Sequence, residues 1–255
     1  MTVIWPGLDL RDVKWSAFKH KAMYDRKWYL RRERFIVYQL ATTTLGVAEA
    51  IEIHANSQYR RLHSSINSSG VAGASMNFHD LDSSHAVALV ACICVASVIQ
   101  RETLFLTFWP AFVYPPSVVR WKKGLAVFVT ALFTAGILQW TVVVSTHSYK
   151  ISGVDDSTQA ELLQRYPSPP HEYIKSTYNI VGTVLLWIGY IFAVWSTYLL
   201  FKAANHDAVH GPLNKTSMID LEDIEDRGSA HGSAHGSGNP SQHSVHSSSA
   251  ITSAA

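Results

Sequence analysis

Residues 124–148 read GLAVFVTALFTAGILQWTVVVSTHS, a run without Asp, Glu, Lys or Arg. At about 1.5 Å per helical residue it crosses a hydrocarbon core of about 30 Å. Arg120, Lys122 and Lys123 stand directly in front of it. Basic residues collect on the cytosolic side of a span, so the pairing predicts a membrane helix with its Gly124 end inside.

Three further runs can be laid out from this one. Ser176–Phe201 is also free of charge. His85–Phe108 is apolar until Arg101 and Glu102, which lie where long side chains can snorkel to headgroups. Phe35–His54 is the least apolar, with Gln39, Thr42 to Thr44, Glu49 and Glu52. Thr103–Val119 is interrupted by Pro110, Pro115 and Pro116, which favours an interfacial turn over a fifth span. The expected fold class is an all-α membrane protein, a four-transmembrane-helix bundle with spans at 35–54, 85–108, 124–146 and 176–201. Residues 1–34 form a basic aromatic arm before it, and residues 202–255 a disordered cytosolic tail after it.

Across 255 residues, 47% hydrophobic and 16% charged, the averages resemble those of a soluble protein, but the apolar residues are gathered into long runs. The net charge of +2 hides a similar separation. The arm holds Arg11, Lys14, Lys19, Lys21, Arg26, Lys27, Arg31, Arg32 and Arg34 against four acids, while Asp220–Asp226 is an acidic knot. A basic arm running into an apolar segment fits the anionic inner leaflet of a bilayer, and no nucleic-acid partner is expected. Trp15, Phe18, Ala22 and Tyr29 fall near one helical stripe, which predicts an interfacial helix or an ordinary positive flank. Beyond the knot, Gly, Ser and His repeats cannot bury a core.

With the N-terminus inside, four spans return the tail to the cytosol, and Arg60, Arg61, Lys150, Arg165 and Lys175 are left outside. The expected location is integral and multi-pass, in the secretory pathway or plasma membrane. Residues 55–84 are expected to form a polar outside loop, with Asn67-Ser-Ser69 as a glycosylation candidate. Ser217, ahead of the acidic knot, is a phosphorylation candidate. Cys92 and Cys94 lie within a span and point to different helix faces, so no disulfide is expected.

Small residues every fourth position let helices approach closely. Thr42, Gly46 and Ala50 form one such set, Ala88, Cys92 and Ala96 a second, and Gly189 with Ala193 a third. Glu49 and Glu52 are the strongest candidates for chemistry. Ionisable groups inside a span are costly, and two carboxylates one turn apart can share a proton or hold a cation. The simpler reading places both at the interface, with Glu52 reaching water. His54, His79, Asp80, Asp82, His85 and His147 gather near the same interface, but their spacing matches no metal motif. His231, His235, His243 and His246 read as low-complexity linker.

No phosphate loop, nucleophile elbow, His-Glu-x-x-His or Cys-x-x-Cys is present, so no enzyme, cofactor or metal is expected. The expected role is that of an organiser, adaptor or accessory subunit, acting with other membrane proteins or as a homo-oligomer. The alternative is a small oligomeric transporter or channel using Glu49 and Glu52 as a cation or proton site.

Overall fold

The computed structural model describes residues 3–5, 8–9, 13, 15–25, 27–109, 114–166 and 168–214. The chain divides into two units, Met1–Asn214 and Lys215–Ala255, and the fold is that of the first. The acidic knot, Ser217 and the tail histidines lie outside the described residues.

Among the described residues, four long helices make the body. Arg31–Asn67 (α2), His79–Phe108 (α3), Pro116–Thr146 (α4) and Thr177–His210 (α6) pack in a closed ring, α2 on α3, α3 on α4, α4 on α6 and α6 on α2. Tyr38, Leu45, Phe133, Ile137, Trp140 and Leu186 fill its centre. Three of these helices, α3, α4 and α6, are long and apolar enough to cross a membrane. The longest, α2, stands apart in composition because it carries Arg31 to Arg34, Glu49, Glu52, Arg60 and Arg61.

The helix ends follow local chemistry. Pro116 is at the first position of α4, where its fixed φ suits a helix and its missing N–H leaves no donor unpaired. Gly211 closes α6 at positive φ, a conformation that only glycine adopts freely. The helix α3 stops at Phe108, just before Pro110, as the restricted backbone ahead of a proline favours. Thr103–Phe108 are thus the end of one helix and Pro116–Val119 the start of the next, and no fifth span is built from them.

At one end of the ring, the sheet end, the chain departs from the expected loops. The helix α2 runs past His54 to Asn67 because Ala55, Tyr59, Leu62 and Ile66 form a buried stripe at helical spacing. Ser75–Asn77 (β3) pairs antiparallel with Lys150–Ser152 (β4). Asp156–Arg165 (α5) and a 3-10 turn at Tyr173–Lys175 complete this end.

At the other end, the Arg34 end, residues 202–210 belong to α6 rather than to a disordered tail. The arm is not one interfacial helix. Its described parts are a short hairpin of Val3–Trp5 (β1) with Leu8–Asp9 (β2), a 3-10 turn at Trp15–Phe18, and one turn at His20–Met23 (α1). Phe18 and Tyr29 find partners on the bundle instead of a common stripe. The Phe18 ring meets Phe108 edge-on at 5.3 Å, and Tyr29 stacks on His206 at 3.6 Å.

Candidate functional site

Glu49 and Glu52 project from one side of α2 into the bundle, and His85 of α3 meets them there. One ligand atom from each residue lies within 4.8 Å of the other two. All three are buried, with Glu52 fully so and His85 and Glu49 exposed by 6% and 7%. Glu52 therefore does not reach water, and both acids are enclosed by the bundle. Gly182 of α6 and Trp140 of α4 border the site. At about 1.5 Å per residue they stand about 8–9 Å inside the ends of their helices.

The surrounding helices are shaped to admit these side chains. A Cβ on Gly182 would come within 2.6 Å of Glu52 Cγ, so α6 makes room for the acid by lacking a side chain there. The Trp140 ring is fully buried and lies 5.8 Å from the His85 ring. Its indole N–H donates to Thr183 Oγ1 at 3.0 Å, and the Cys92 thiol lies beside Glu49.

Electrostatically the site is incomplete. Both oxygens of Glu49, both oxygens of Glu52 and His85 Nε2 are buried without a hydrogen-bond partner of ordinary geometry among the described residues. An ionised carboxylate in such surroundings costs several kcal/mol unless a counter-charge reaches it. The arrangement can accept a shared proton or hold a cation between three converging ligands.

A row of polar groups leads from the surface to this point. Arg60 donates to Asp82 Oδ1 from Nε at 3.0 Å and from Nη2 at 2.6 Å. Buried Asn56 donates from Nδ2 to the same oxygen at 2.9 Å and lies 3.4 Å from His85 Nδ1. Asn56 Oδ1 has no partner among the described residues. Beside this row, Tyr59, Tyr149 and Tyr173 form an aromatic cap. Asp80 ties the cap down, taking a hydrogen bond from Tyr173 Oη at 3.1 Å and pairing with His147 Nδ1 at 2.7 Å. Burial, and then the neighbouring Asp80 carboxylate, push the Tyr173 phenol above its ordinary range, since both disfavour the phenolate.

The six interfacial groups thus separate. His85 joins Glu49 and Glu52, Asp82 stands behind it, His147 and Asp80 hold the cap, and His54 and His79 are exposed. The packing candidates separate too. Gly189 seats Leu45 of α2, Ala193 is buried, and Ala88 faces Gly136 of α4. Cys92 is buried and Ala96 half-buried. Gly46 and Ala50 are exposed and Thr42 half-buried, so that stripe looks away from the bundle into a shallow groove shared with Tyr178. Asn67 is the exposed last residue of α2.

A second constellation lies at the Arg34 end. Glu102 is 2% exposed and pairs with Lys122 at 2.8 Å, Arg101 at 3.0 Å and Arg34 at 3.7 Å. Arg34 Nε also donates to Tyr38 Oη at 3.2 Å, and the Lys122 ammonium sits 3.7 Å from the Tyr114 ring centroid. Read as a snorkelling residue, Glu102 is instead the buried hub of α2, α3 and α4. Its signal in the sequence was a single acid near the end of an apolar run, with basic residues at the ends of two neighbouring runs. Comparison with protein-family models, with curated proteins and with solved structures returns no match.

Proposed function

We propose that this chain is a four-span membrane protein that holds a cation or a proton at Glu49 and Glu52 and moves it across the bilayer, singly or as an oligomer. One observation carries this reading. Two buried carboxylates without hydrogen-bond partners of ordinary geometry face an equally unpartnered imidazole nitrogen inside an apolar bundle. Intramembrane ionisable groups arranged this way suit an ion or proton pathway.

The fourth span is α2. The acids that lower its hydropathy are turned inward, while Ile36, Leu40, Val47 and Ile53 are exposed on its outer face. Lipid would meet those apolar residues rather than the carboxylates. The basic flanks at Arg31–Arg34 and Arg120–Lys123 support a topology with the Arg34 end in the cytosol and the sheet end outside, in a plasma or secretory-pathway membrane.

The test is flux in reconstituted vesicles. Glu49→Gln keeps the shape and removes the charge, and proton or cation flux is expected to fall at least tenfold. A second reading, an organiser or accessory subunit, is supported by the outward-facing Thr42, Gly46 and Ala50 stripe, which offers another helix a close approach. Unchanged flux in the Gln variant, with a second membrane protein retained at constant ratio in mild detergent, would transfer the proposal to that reading.

A further inference from the structure

Resting on the cation reading of the same site, we propose that the ion is a divalent transition metal of the zinc class, bound by Glu49, Glu52 and His85. Imidazole decides the class. Nitrogen ligands suit zinc, copper, iron and nickel, whereas magnesium and calcium call for six or more oxygens. Charge points the same way, since two carboxylates and a neutral imidazole carry two negative charges, which a divalent ion cancels. Three protein ligands leave a fourth position open, the arrangement of zinc sites that exchange a ligand.

The geometry is close to what such an ion needs. Four-coordinate ligands about 2.1 Å from zinc stand about 3.4 Å from one another. The three ligand atoms here lie within 4.8 Å, so the two glutamates have only to swing inward on their flexible stems. Gly182 leaves Glu52 the space in which it lies. His85 Nε2 is buried with no hydrogen-bond partner among the described residues, and its Nδ1 lies 3.4 Å from Asn56 Nδ2. Asp82 holds Asn56 from behind and is itself held by Arg60.

The experiment uses the full chain in detergent, with His231, His235, His243 and His246 replaced by Asn so that the tail cannot bind metal. Cobalt(II) is titrated in and its visible d–d absorption is followed, then displaced with zinc. One ion per chain is expected, with the strong absorption of four-coordinate cobalt. His85→Asn and Glu52→Gln, which each remove one of three ligands, are expected to weaken binding at least a hundredfold. Circular dichroism and gel filtration establish that each variant is folded.

The proposal is overturned if the folded parent binds no cobalt. It is also overturned if the spectrum survives in His85→Asn, or is lost in His147→Asn instead. The two readings fail separately. Absent cobalt with Glu49-dependent proton flux removes the metal and leaves the transport reading. His85-dependent cobalt binding with flux unchanged in Glu49→Gln keeps the metal site and removes transport.

Discussion

Glu102 is one side chain on which three helices depend. Its carboxylate is buried against Lys122, Arg34 and Arg101, and the first two cations are themselves nearly enclosed. Removing one partner of a buried ion pair leaves the others uncompensated and costs about 3–5 kcal/mol. Glu102→Gln is therefore expected to lower stability by about that much. Arg101→Ala, at the half-exposed pair, should cost no more than about 1 kcal/mol. Thermal unfolding in one detergent compares them, and equal effects would refute the hub. At this scale the sequence was informative about Glu49 and Glu52, because carboxylates inside an apolar run need a reason. It offered His85 only as one of six polar groups near the same interface. That residue lies on a different helix, and no local spacing ties it to the acids. Asn56 and Asp82 became legible as its support only once α2 and α3 were set side by side.

Helix faces obey a similar limit. A spacing of four names a stripe but not the side of the helix that meets the core. Gly189 seats Leu45, and a Cβ there would lie 2.5 Å from Leu45 Cδ2, whereas a Cβ on Gly46 would meet nothing within 4 Å. Gly189→Ala is expected to destabilise the bundle by about 1–3 kcal/mol through overpacking. Gly46→Ala should be neutral, or stabilise by up to about 1 kcal/mol through helix propensity. Unfolding temperatures of the two variants, measured side by side, check the contrast. The apolar runs of α3, α4 and α6 were legible because length and freedom from charge suffice to mark such helices. The far end of α2 was not. Its Ser and Asn content reads as loop, and the buried positions Ala55, Tyr59, Leu62 and Ile66 stand out only when taken at helical spacing.

For the molecule as a whole, the two ends of the ring are chemically unlike, and this asymmetry orients the proposed topology. The sheet end joins segments far apart in the chain, as when Ser75 pairs with Ser152, and nothing local in either strand announces its partner. Arginine and lysine are concentrated at the opposite end. With the sheet end outside, Asn67 is presented at the tip of α2, which is 37 residues long. A helix of that length reaches about 55 Å, against a hydrocarbon core of about 30 Å. Full-length protein made in a glycosylating host should shift in mass on glycosidase treatment, and Asn67→Gln should abolish the shift. A shift that persists in that variant would come from the second acceptor pattern, Asn214-Lys-Thr216, beside Lys27, and would place the opposite end outside. Glu102 has a bearing on biogenesis as well. It is synthesised after Arg34 and before Lys122. In the proposed four-span topology Glu102 finds Arg101 on its own helix and Arg34 on the helix made before it, while Lys122 arrives only with α4. The charges that join these three helices are therefore supplied in the order in which the helices are made.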